Sequence, residues 1–179
     1  CKKKPMINSI TDEARVVDVI LPLVAENKTQ IIALCTSDEL SGETTDDRLK
    51  IASSLVGKLT GAGIPPEDIY VDPCVYPIST NVNNGMEFLN ALEQMKDCCE
   101  GVHTVCGLSN ISYGLPTRKI LNQAFMIIAM DKGLDAVILD PLDKQMMANV
   151  IATETLLGRD DFCMNYIQAY RGGKFNFED

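Results

Sequence analysis

The chain has 179 residues, 46% hydrophobic and 23% charged, the composition of an ordinary globular domain. Its net charge of −9 opposes binding to a phosphate backbone, so nucleic acid is not expected as a partner. No apolar run reaches the roughly 18 residues that a membrane span needs, and no membrane association is expected.

The start, Cys1-Lys2-Lys3-Lys4-Pro5, has no apolar signal region and no initiator Met. It runs almost directly into a strand and reads as a chain cut from something longer. There are seven cysteines, an odd count without C-x-x-C spacing, and one histidine, so neither a disulfide framework nor a zinc site is expected. Reduced, mostly buried thiols in a cytoplasmic protein are the expectation, with no bound metal.

Five short apolar runs read as strands: Pro5–Ser9, Gln30–Thr36, Ile69–Val75, His103–Leu108 and Ala136–Asp140. The intervals leave room for a crossover helix each time, which predicts βα units and a parallel sheet. The first helix is placed from Asp12 to Glu26, with Val16, Val17, Ile20, Leu23 and Val24 on one face and Pro22 inside it, where a kink or a lost hydrogen bond is expected. The second, Thr45 to Leu59, buries Ala52, Leu55, Val56 and Leu59 and ends at Gly61, Gly63 and Pro65-Pro66. The third, Gly85 to Cys98, carries Phe88, Leu89, Leu92 and Met95. The fourth, Thr117 to Lys132, buries Ile120, Leu121, Ala124, Phe125 and Ile128. The fifth, Asp143 to Leu157, presents Met146, Met147, Val150 and Ile151. A last piece, Asp160 to Tyr170, precedes a polar tail expected to fray. The whole, 1–179, reads as a single domain or part of one.

Polar residues gather at the carboxyl ends of these strands: Asn8 and Ser9, Thr36 and Ser37, Ser109 and Asn110, and Asp140, with Asp72 placed inside the third strand. In parallel α/β folds those ends share one face, where ligands bind. A carboxylate amid Ile69-Tyr70-Val71-Asp72-Pro73-Cys74-Val75 needs hydrogen-bond donors. Either Asp72-Pro73 closes a turn, or the carboxylate receives two parallel N–H groups, as an aminopyrimidine edge would present them. Asn8, Asp140 and the Ser109-Asn110 pair have the same turn alternative. Arg118 at a helix start opposes the helix dipole; it either faces a loop partner or an anion, or is simply solvated. His103 begins its strand and is read as pointing away from the site. A Gly-rich phosphate loop, a G-x-S-x-G elbow and H-E-x-x-H are absent. Amides, hydroxyls and carboxylates favour orienting a heterocycle over forming a covalent intermediate. From the residues alone, an open, doubly wound five-stranded domain binding a small ligand would satisfy the pattern.

Four stretches in order across nearly the whole chain carry a resemblance: Met6-Ile7-Asn8-Ser9, Tyr70-Val71-Asp72-Pro73, Gly107-Leu108-Ser109-Asn110-Ile111-Ser112 with Arg118 eight residues past the Asn, and Gly133-Leu134-Asp135-Ala136 leading to Ile138-Leu139-Asp140. Together they resemble the pterin-binding methyltransferases, namely methyltetrahydrofolate:corrinoid protein methyltransferases and the folate module of cobalamin-dependent methionine synthase. The resemblance implies a TIM (β/α)8 barrel, of which this chain would hold the C-terminal five βα units, with the first three strands before residue 1. It implies that Asn8, Asp72, Gly107, Ser109, Asn110 and Ile138 contact the pterin, with Asn110 meeting the reacting N5. Tyr113 and Arg118 would face the loop or the partner. The implied activity carries the methyl group of 5-methyltetrahydrofolate to the Co(I) corrinoid, a cobalamin, of a separate protein. This chain has no D-x-H-x-x-G corrinoid signature of its own. A homodimer is implied as well. A dihydropteroate synthase-like enzyme and a non-catalytic pterin- or partner-binding remnant are the alternatives.

Overall fold

A computed structural model describes residues 3–176, so Cys1, Lys2 and the last three residues of the tail lie outside the described residues. Five strands alternate with helices: β1 (Met6–Asp12), α1 (Ala14–Asn27), β2 (Gln30–Ser37), α2 (Thr45–Gly61), β3 (Ile69–Asp72), α3 (Asn84–Cys98), β4 (His103–Gly107), α4 (Arg118–Asp131), β5 (Ala136–Ile138), α5 (Lys144–Leu156) and α6 (Met164–Arg171). The strands form one sheet in the order β1-β2-β3-β4-β5, every pair parallel. A doubly wound sheet reverses its strand order partway; this one does not. With right-handed crossovers, sequential order puts every helix on the same side of the sheet. The open doubly wound reading is therefore replaced by five consecutive units of the TIM-barrel type, three strands short of closure.

Strand register separates two faces. Ile31, Ala33, Cys35, Ile69, Val71 and Cys106 point toward the helices and are fully buried. All but Cys106 pack against Ile51, Ala52, Leu55 and Leu59 of α2 and Met95 of α3. A second cluster joins Phe88, Leu89 and Leu92 of α3 to Phe125, Met126 and Ala129 of α4, with the Phe88 and Phe125 rings 5.4 Å apart. The opposite face carries the row Asn8, Ile32, Tyr70 and His103, then Asp72, Gly107 and Ile138 at matching parity. This is the face that a barrel turns inward. Leu55→Ala, at a site with no exposure, is expected to cost roughly 2–5 kcal/mol in a denaturant titration, as buried leucine truncations do.

Several boundaries differ from the sequence reading. Asn8 and Ser9 do not close β1, which continues to Asp12. The register slips between Asn8 and Ile10, leaving Ser9 as a bulge, and the buried Ile10 carries the strand onward. Helix α1 starts two residues late, its first amide donating to Asp38 Oδ2 at 3.0 Å, and it runs through Pro22, whose side is exposed. Asp72 is the last residue of β3 rather than an interior one, because Cys74 beyond Pro73 takes a left-handed backbone at φ 63°. Strand β4 ends at Gly107, β5 ends two residues before Asp140, and the last helix begins only at Met164.

The α4 stripe is also shifted. Phe125 is buried, whereas Ile120, Ala124 and Ile128 are exposed. The helix turns Met126, Ala129 and Met130 inward instead, so its apolar residues occupy two faces and hydrophobicity alone could not choose between them. The second helix follows the reading closely. Thr44 caps it by accepting from the Asp47 amide at 3.1 Å, Asp46 and Asp47 sit in its first turn, and Lys58 lies in its last.

Candidate functional site

Asp72 is the best-defined polar group at the carboxyl end of the sheet. It is buried, and its Oδ1 accepts the Cys74 amide at 2.8 Å across Pro73. The turn reading thus accounts for one oxygen. Burial pushes the carboxyl up from its ordinary range to about 6; the amides of Cys74 and Gly107 and the Arg48 guanidinium pull it back down. The neighbouring thiols are not nucleophiles. Burial drives Cys74 up to about 12 and raises Cys35 and Cys106 well above the ordinary thiol range, so all three stay protonated.

Gly107 links Asp72 to the next element. Its amide faces the carboxylate, and the chain then enters a 3-10 turn, Leu108–Ser112. Leu108 and Ile111 anchor that turn in the core while Ser109 and Asn110 stay exposed. The Asn110 side chain folds back, its Nδ2 lying 3.9 Å from where a Cβ on Gly107 would stand. Asp72, Gly107 and Asn110 are therefore contiguous. Asn8 shares the sheet face of Asp72 and Gly107 but stands on β1, two strands from the first and three from the second, exposed. Ile138 is half exposed and joins Ser109 in lining a cavity of about 260 Å³, together with Leu108, Asn122, Asp140 and Asp143. Asp140 behaves as a turn residue, its Oδ1 accepting the Leu142 amide at 2.9 Å.

Arg118 faces a loop partner. Its Nη2 donates to the Ser109 carbonyl at 2.6 Å and its Nε to Ser112 Oγ at 3.0 Å, while Ser112 in turn donates to Asn122 Oδ1 at 2.7 Å. The guanidinium also lies 5.9 Å from the ring centre of Tyr113, which is itself exposed. Ser79 Oγ donates to the Tyr113 carbonyl at 2.6 Å, tying this loop to the one after β3. Arg118→Met, which removes both hydrogen bonds to the turn, is expected to speed amide exchange across residues 109–113 roughly five- to tenfold, the equivalent of about 1 kcal/mol. Hydrogen exchange with mass detection reads this directly.

His103 corrects a detail of the sequence reading. It does not point away: it lies on the same sheet face as Asp72, stacked on Tyr70 with ring centres 4.8 Å apart. It sits at the amino end of β4, however, remote from the Ser109-Asn110 turn. The sequence reading missed Arg48, which is fully buried beneath this end of the sheet. Its spacing to Ala52, Leu55 and Leu59 places it on the buried stripe of α2, a signal that was available in the sequence.

Comparison with known proteins agrees with this architecture. The family described as "Pterin binding enzyme" matches residues 2–140. A methylcorrinoid:tetrahydrofolate methyltransferase from Eubacterium limosum is 34% identical over 97% of this chain and 65% of its own length. Methionine synthases from Mycobacterium tuberculosis and Mycobacterium leprae are 32% and 30% identical, each over 66% of this chain and 10% of their own length. This chain belongs to the pterin-binding enzyme family. It spans about two thirds of the first of these relatives and a tenth of the other two. Among the described residues no helix is long and apolar enough to cross a membrane.

Proposed function

We propose that this chain belongs to an enzyme that moves a methyl group between N5 of tetrahydrofolate and the cobalt of a corrinoid held by a partner protein. The observation that carries the reading is the contiguous set Asp72, Gly107 and Asn110 at the carboxyl end of the sheet, on the face that a barrel turns inward. The named activity of the Eubacterium limosum relative supports it.

In this reading the Asp72 carboxylate accepts the two adjacent N–H groups of the pterin's aminopyrimidine edge, fixing the ring in its plane. Asn8, Gly107, Ser109 and Ile138 complete the contacts. Asn110 reaches N5. A methyl on a tertiary amine leaves only when that nitrogen gains positive charge. An amide does not titrate near neutrality, so the N5 proton is delivered from solvent through water, and Asn110 orients and stabilises the N5–H rather than acting as a general acid. The corrinoid supplies the cobalt that takes up or gives the methyl group. Its approach is past Tyr113 and the Gly114-Leu115-Pro116 loop, whose position Arg118 holds. The family resemblance implies 5-methyltetrahydrofolate as the donor; the Eubacterium limosum relative is named for the opposite direction. The same residues serve both directions, because forward and reverse transfer share one transition state. A homodimer and a cytoplasmic setting belong to the same proposal, and light scattering tests the first.

The test is a transfer assay on the protein at its natural length with a corrinoid protein, following the cobalt absorption spectrum in both directions. Catalysed exchange between 5-methyltetrahydrofolate and the corrinoid is the expected result. Folate binding without transfer would favour a non-catalytic remnant. Condensation of a pterin pyrophosphate with p-aminobenzoate would favour a dihydropteroate synthase-like enzyme.

A further inference from the structure

Arg48 has no exposed surface, yet its charge is poorly matched locally. Its Nε donates to the Gly42 carbonyl at 2.9 Å, and its guanidinium lies 5.4 Å from the ring centre of Tyr76. Both terminal nitrogens, Nη1 and Nη2, find no hydrogen-bond partner among the described residues. Gly42 belongs to the loop after β2 and Tyr76 to the loop after β3, so one side chain touches both. The second loop also supplies the Cys74 amide that holds Asp72 Oδ1. A buried cation without a full set of acceptors is costly and calls for a counter-charge. Two carboxylates feel it. Glu87 of α3 is engaged in capping α2, accepting the Thr45 amide and hydroxyl at 2.6 Å each. Asp72 is the other. The remaining titratable groups around Asp72 are Cys35 of β2, Cys74 of its own loop and Cys106 of β4, all thiols that stay neutral.

We propose that Arg48 is the positioning residue of the pterin carboxylate: it clamps the two loops from beneath and supplies the fixed positive charge that lets a buried Asp72 meet its ligand ionised. Arg48 touches no ligand itself. A neutral side chain of similar bulk keeps the packing and loses the charge, whereas lysine keeps the charge and loses the fork. The purpose assigned to Arg48 rests on the pterin reading of Asp72; the coupling of the two residues does not.

The experiment is a carbon-13 NMR titration of the Asp72 carboxyl in the unliganded protein at its natural length, for the wild type, Arg48→Met and Arg48→Lys. Thermal unfolding confirms that each variant is folded. Arg48→Met is expected to raise the Asp72 midpoint, and Arg48→Lys to restore most of that shift. The pH below which 5-methyltetrahydrofolate binding weakens moves upward in step. An unchanged midpoint in folded Arg48→Met overturns the proposal. The wild type gives a second reading that no misfolded variant can spoil: the Arg48 Nε–H resonance should titrate with the Asp72 midpoint, and an Nε–H that ignores it also overturns the proposal. Coupled titration in a protein that binds no folate would uphold the Arg48–Asp72 link and sink the pterin reading instead.

Discussion

Replacing Asn110 with alanine is expected to slow methyl transfer roughly 10²- to 10³-fold, the usual loss when one oriented donor is removed from a transition state. Folate affinity should change little by comparison, within about threefold, because Asn110 stands on an exposed turn and ring binding rests on Asp72. The geometry explains the asymmetry. The turn Leu108–Ser112 is held by Leu108, Ile111 and the Arg118 contacts, none of which involves the Asn110 amide. The variant should therefore fold normally. Single-turnover rates beside equilibrium titrations separate the two effects, and comparable losses in both would contradict the role given to Asn110.

Asp72→Asn should do the opposite. It is expected to weaken binding of 5-methyltetrahydrofolate roughly 10- to 100-fold at neutral pH, since an amide replaces one of two charged acceptors with a donor. The same change should stabilise the unliganded protein. Burial raises the Asp72 carboxyl to about 6, so the folded state holds this proton more tightly than the unfolded state does. Stability is then greatest at acid pH with respect to this group and falls as pH rises through the ordinary carboxylate range to about 6. The full displacement corresponds to about 3 kcal/mol. Asparagine removes that penalty, so melting above pH 6 should shift upward by several degrees, with little change near pH 4. A variant that binds as well as the wild type, or that melts lower at every pH, would contradict this account.

The sequence made the alternation of strands and helices legible because each strand is a short apolar run set between turn residues. Helices α2 and α3 were legible because each buries the single apolar stripe that its spacing shows. Helix α4 was not, because Ile120, Ala124 and Ile128 form an apolar stripe as regular as the one the fold buries. The end of β1 was hidden by the bulge at Ser9, which no periodicity rule anticipates. Strand order, which separates a barrel-type sheet from a doubly wound one, is invisible to local pattern and came from the family resemblance alone. At the site, residue types were readable, but not every strand end, since Asn8 and Ser9 fall inside β1 and Asp140 lies two residues beyond β5. The approach of the Gly107 amide to Asp72 and the return of the Asn110 side chain over Gly107 were not, since both depend on backbone paths between strands. Arg48 was readable in principle. A charged residue on an otherwise apolar stripe is the observation that burial makes meaningful.

Every ring contact proposed at this site depends on Asp72 as an ionised anchor for a pterin. The most direct measurement is an equilibrium titration of the protein with 5-methyltetrahydrofolate from about pH 5 to about pH 8, followed calorimetrically in two buffers of different ionisation enthalpy. Affinity that declines as pH falls below about 6, with a proton released on binding in that range, is the predicted result. Affinity that is flat across the range without proton release, or an absence of folate binding altogether, would contradict it.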